Sequence, residues 1–92
     1  MVGDKTQIRK CTSRYLATSL DDEIILVHAD SGAFYSLKET ARLVWQQIDE
    51  TPEIGRICEA LTREYAIDDG ECRRDVMAFI EDIVAAGFAE FA

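Results

Sequence analysis

Ninety-two residues make one domain, because a chain this long encloses a single hydrophobic core and has no material for a second. The 48% hydrophobic and 30% charged composition, with five Gly and one Pro, is that of a folded globular protein and excludes extended disorder. A net charge of −8 repels phosphate backbones, so nucleic-acid binding would need a local basic patch.

The charge is unevenly placed. Lys5, Arg9, Lys10 and Arg14 stand against Asp4 alone in residues 1–20, net +3, which leaves −11 on the rest of the chain. No stretch approaches the roughly 20 apolar residues of a membrane span, and the polar start Met1 to Thr6 lacks the apolar core of a secretory signal, so a cytoplasmic location is expected. Cys11, Cys58 and Cys72 are odd in number and widely spaced, which fits neither a disulfide framework nor a metal or redox pair. They are expected to be reduced thiols, Cys58 and Cys72 at apolar helix positions.

In chain order, residues 1–14 are polar and aperiodic and read as a tail or weakly held edge segment, with the ordered domain expected over 15–92. Tyr15 to Leu20 reads as a first strand, Asp21-Asp22 as a turn, and Glu23 to Ala29, rich in β-branched residues, as a second strand. Asp30-Ser31-Gly32 supplies turn chemistry before a short third strand, Ala33 to Leu37. Ser36-x-x-Glu39 reads as a capping box for a first helix carrying Ala41, Val44, Trp45 and Ile48 on one stripe. That helix should end near Asp49. Thr51-Pro52-Glu53 reads as N-cap, first helical position and early acid of a second helix with Ile54, Ile57, Cys58, Leu61 and Tyr65 facing inward. Asp68 to Glu71 offers caps for a third helix, whose inward stripe is Cys72, Val76, Phe79, Ile80 and Ile83, widened by Met77 and Val84, and Gly87 is its stop. The expected fold is α+β, winged helix-turn-helix-like: a three-stranded antiparallel sheet followed by three helices.

The residues Gly32-x-x-Tyr35-x-Leu37-x-x-Thr40-Ala41-x-x-Val44-Trp45, then Thr51-Pro52-Glu53-Ile54, then Asp75-Val76-x-x-Phe79-Ile80-x-x-Ile83-x-x-x-Gly87-Phe88, together resemble the PqqD-like family over about residues 15–90. One departure is Lys38, where the family often has Asn, leaving Ser36 to supply the helix cap. The resemblance implies a stand-alone recognition element that binds the leader of a ribosomally made precursor peptide and passes it to a separate maturation enzyme, a protease or cyclase. Its small size is similar to the split form of lasso-peptide systems. It further implies that the leader adds as a strand along Ala33, Phe34, Tyr35, Ser36 and Leu37, and packs into a groove against the third helix at Arg73, Val76, Met77 and Ile80. Backbone pairing at the edge tolerates many sequences, so the helix must select. Met77 suits imperfectly matched apolar partners and Arg73 a leader carboxylate.

The competing reading of Val76, Phe79, Ile80 and Ile83 is plain core, and that of Tyr35 and Trp45 is core aromatics. Arg73-Arg74 can equally be a solvated pair. His28 lies in a strand without a second ligand at metal spacing, no nucleophile and base come together in the sequence, and no cofactor, metal or catalytic role is expected. The alternative function is a winged-helix DNA-binding regulator. Its recognition helix would carry Arg73 and Arg74 against Asp68, Asp69, Glu71, Asp75, Glu81 and Asp82, a local net of −4 and the wrong sign for DNA.

Overall fold

The computed structural model describes residue 3 and residues 5–92; Met1, Val2 and Asp4 of the N-terminal segment lie outside the described residues. Five strands and three helices follow in the order β1 (Ile8–Lys10), β2 (Tyr15–Leu20), β3 (Glu23–His28), β4 (Phe34–Lys38), α1 (Glu39–Glu50), α2 (Ile54–Tyr65), α3 (Asp69–Ala85) and β5 (Ala89–Phe91). The expected antiparallel meander is present as a sheet of order β2-β3-β4. Its third strand runs one residue later than expected, so Ala33 sits in the turn, where its carbonyl accepts from the His28 N–H at 2.8 Å.

The sheet buries one face. Ile24, Leu26 and His28 alternate inward on β3 and pair with Leu37 and Tyr35 on β4 and with Tyr15 on β2. The helices supply the opposing layer through Val44, Trp45 and Ile48 of α1, Ile54, Ile57, Cys58 and Leu61 of α2, and Cys72, Val76, Ile80 and Ile83 of α3. Cys58 and Cys72 are buried in the core, as their helix positions imply. Phe88 is the aromatic centre, with the Tyr15, His28 and Tyr35 rings 6.1, 5.6 and 5.4 Å away.

Helix ends follow local chemistry at α3 and tertiary contacts at α1 and α2. The Asp68 carboxylate accepts the Glu71 N–H at 3.1 Å, capping α3 as expected. Gly87, at φ +86°, ends it in a Schellman motif: Phe88 N–H donates to Ile83 O at 2.9 Å and Gly87 N–H to Val84 O at 3.1 Å. A Cβ at Gly87 would also stand 2.8 Å from His28 Nε2. The Ser36 capping box does not form. Ser36 stays in β4 with its hydroxyl bonded to the Glu23 carboxylate, the N-cap is Lys38 without a side-chain bond, and Glu39 enters the helix at φ +51°. That hydroxyl, with Lys38 3.1 Å from Glu23, holds the Glu23 carboxyl below its ordinary range. Thr51 likewise closes α1 and does not open α2, donating its N–H to Gln47 O at 2.9 Å. Tyr65 is half exposed and leaves the inward face of α2.

The polar tail expected through residue 14 is corrected. Ile8 is only 2% exposed and belongs to the core, and β1 pairs antiparallel with β5 in a second, two-stranded sheet. The arm supplies what the α2 start lacks: Thr6 O accepts the Ile54 N–H at 3.0 Å, and the Ile8 N–H donates to Pro52 O at 2.9 Å. Lys10 places its ammonium 2.9 Å from Asp49 and 4.2 Å from the Trp45 ring centroid, tying β1 to α1.

Tyr15 lies beside this staple, its ring 5.4 Å from Trp45. Burial raises its phenol above the ordinary value of 10.0, with Asp49 and Cys11 adding to the effect. A folded state that holds the proton more tightly than the unfolded chain loses stability as pH climbs from the ordinary tyrosine range through the raised value. Thermal midpoints should therefore fall more steeply above about pH 10 in the wild type than in Tyr15→Phe. Parallel slopes for the two proteins in a melting series would count against this.

Candidate functional site

Position in the sheet decides which backbone groups are available. β3 is central, so β4 has a partner on one side only, and its outer edge is open over Phe34–Lys38. The bond from His28 N–H to Ala33 O marks residues 28 and 33 as a hydrogen-bonded pair. Alternation along an antiparallel ladder then makes Leu26 with Tyr35 and Ile24 with Leu37 the next such pairs. The backbone groups of Tyr35 and Leu37 are thus spent on β3, while those of Phe34 and Ser36 and the N–H of Lys38 point to the free edge; the Lys38 carbonyl, at the N-cap, opens α1. This narrows the expected edge set, from which Ala33 also drops as a turn residue, and adds Lys38.

Side chains alternate the other way. Tyr35 is half-buried and Leu37 buried on the helix side, whereas Phe34 and Ser36 stand on the solvent side. On α3, Val76 and Ile80 have 0% exposure and lie in the core of the free protein. Arg73 and Met77 are half-buried at the border of that stripe. Val84, seven residues beyond Met77 and also half-buried, continues the same border and was legible only as core widening. Arg73 Nε lies 3.2 Å from the Asp69 carboxylate one turn earlier, which orients the guanidinium along the helix. The helix packed most closely on β4 is α1, while α3 packs on α2, β5 and α1.

The remaining candidates serve the fold. His28 is 7% exposed, and its Nδ1 accepts the N–H groups of Asp30 and Ser31 at 3.2 and 3.4 Å, closing the β3–β4 turn. No group of three or more His, Cys, Asp or Glu among the described residues is placed to hold a metal ion. No helix among them is long and apolar enough to cross a membrane. Two open depressions, one at Asp21, Glu23, Lys38 and Arg42 and one between α1 and α2, reach neither Tyr35 nor α3.

A two-layer α+β domain in winged helix-turn-helix order, with the outer edge of β4 unpaired beside a helical layer, is the class this architecture defines. Residues 23–89 match the model of the family described as coenzyme PQQ synthesis protein D, and the chain belongs to that PqqD family. Two solved structures are similar to it. TbiB1 in complex with the TbiA(beta) leader peptide aligns at a TM-score of 0.78 with 23% identity, covering 88% of this chain and 94% of that one. A lasso peptide synthetase B1 complexed with the leader peptide aligns at 0.79 with 23% identity, covering 91% and 98%. Among curated proteins, no sequence matches.

Proposed function

We propose that this protein binds the leader of a ribosomally made precursor peptide as a strand added to β4, and presents it to a separate maturation enzyme in lasso-peptide biosynthesis. The observation that carries the reading is the open β4 edge in a PqqD-family chain whose fold matches proteins solved with leader peptides. In strand addition the backbone supplies affinity and side chains beside the edge supply selectivity. Phe34 and Ser36, with the Lys38 N–H, offer the backbone groups, and Tyr35 with Arg73 and Met77 on α3 selects the leader's side chains. The protein performs no chemistry of its own and needs no cofactor; its single histidine is committed to a turn. It acts in the cytoplasm, where the precursor is synthesised. The DNA-binding alternative finds no support in an α3 with four more acids than bases over residues 68–82.

Labelled leader and labelled duplex DNA titrated side by side at moderate salt test this reading. The leader should bind and the duplex should not. Ser36→Pro removes an N–H from the free side of β4 while leaving the Tyr35 and Leu37 pairs with β3 intact, so it should weaken leader binding several-fold without unfolding the sheet. Tighter, salt-sensitive binding to the duplex would replace the reading with the DNA-binding one.

A further inference from the structure

The helices cover one face of the three-stranded sheet and leave the other bare. Across that bare face the strand register aligns Leu16 on β2, Val27 on β3 and Phe34 on β4 in one row, with exposures of 73%, 38% and 67%. Single apolar residues on a surface are ordinary, but three large ones side by side across every strand of a sheet form a contiguous patch, which marks a contact surface. On a solvent face of an antiparallel sheet these positions are expected to be polar.

The row ends on β4, the strand with the open edge. A peptide strand paired there lies roughly 4.8 Å beyond β4, and its alternate side chains project on the same side as Phe34. The bare face then widens from three strands to four, and the apolar row runs from the protein onto its ligand. Charge restricts what covers it. At the end of the sheet opposite the row, Asp21, Asp22, Glu23 and Glu39 outnumber Lys38 and Arg42, on a chain of net −8, so a matching surface is apolar at its centre and basic at its rim. A second copy would bring the same −8 against itself.

We propose that the outer sheet face, centred on Leu16, Val27 and Phe34, is where the separate maturation enzyme docks, reading protein and bound leader as one four-stranded surface. This rests on leader binding at β4, and it explains how an enzyme distinguishes the loaded protein from the empty one. Leu16 is the position to change: it is mostly exposed, and it sits on β2, two strands or roughly 10 Å from β4, too far to touch an added peptide. In Leu16→Lys, leader affinity by fluorescence anisotropy should stay within twofold of wild type. Binding of the pathway's purified maturation enzyme to the loaded complex, by biolayer interferometry, should fall at least tenfold. Wild-type enzyme binding should also weaken as salt is raised and be stronger for the loaded than for the empty protein. Wild-type enzyme binding by loaded Leu16→Lys would overturn the proposal, as would a wild-type dimer in sedimentation that Leu16→Lys dissociates, which gives the face to a second copy. Failure of the wild type to bind leader in the first assay would instead remove the reading beneath it.

Discussion

Replacing Met77 by Glu is expected to weaken leader binding at least about tenfold, roughly 1.4 kcal/mol, while the domain stays folded. Met77 is half-buried on α3, on the border of a stripe whose centre, Val76 and Ile80, is fully buried. An apolar leader side chain laid against this border would bury the new carboxylate without a partner, and that costs several kcal/mol. In the free protein the same carboxylate turns to water, so the penalty falls mainly on the complex. Arg73 differs: its guanidinium already has the Asp69 carboxylate 3.2 Å away, and its removal should matter less. Anisotropy measures the affinity and circular dichroism the fold. Unchanged leader binding by a well-folded Met77→Glu protein would place the groove away from α3 even if β4 remains the strand that is extended.

The parts of the fold legible in the sequence are those whose signal is local. The meander announces itself through the β-branched Ile24, Ile25 and Val27 and two turns of short polar residues, and α3 through Asp68 and Gly87, both of which act on groups within a few residues. The starts of α1 and α2 were misread because their ends are satisfied from elsewhere: Glu23 takes the Ser36 hydroxyl across the sheet, and Thr6 takes the Ile54 N–H from the far end of the chain. β1 and β5 were invisible for the same reason. Each is three residues long and pairs with residues about 80 positions away, so neither carries a periodicity of its own. In the site, the identity of β4 was readable, but its division into spent and free backbone groups depends on one register bond at Ala33. On α3, Val76 and Met77 are neighbours on the same apolar sector, and only burial separates the core residue from the border residue.

Ile8→Ala should lower the stability of the whole domain by about 2–5 kcal/mol, the range for emptying a fully buried aliphatic site. The N-terminal arm is the element the sequence pattern assigns least to the fold, which makes this the sharper test of where the domain begins. Ile8 is 2% exposed, and around it the arm bonds to the α1–α2 connection and to the strand end after α3. The Ile8 N–H meets Pro52 O at 2.9 Å, Ile54 N–H meets Thr6 O at 3.0 Å, and the Cys11 N–H meets Phe88 O at 2.9 Å. A domain of this size has only about 5–15 kcal/mol in total, and each kcal/mol moves Tm by roughly 4–8 °C, so the melting midpoint should drop by on the order of 10–30 °C. Thermal and urea unfolding followed by circular dichroism measure the loss. The arm also holds Lys10 against Asp49 and Trp45, and Trp45 in turn packs on Tyr15 at the start of the sheet. The free edge of β4 belongs to that same sheet, so a chain shortened to begin at Tyr15 should lose leader binding together with its melting transition. A wild-type midpoint for Ile8→Ala, or a stable domain lacking residues 1–14, would return β1 to the status of a peripheral tail and place the whole recognition unit after Arg14.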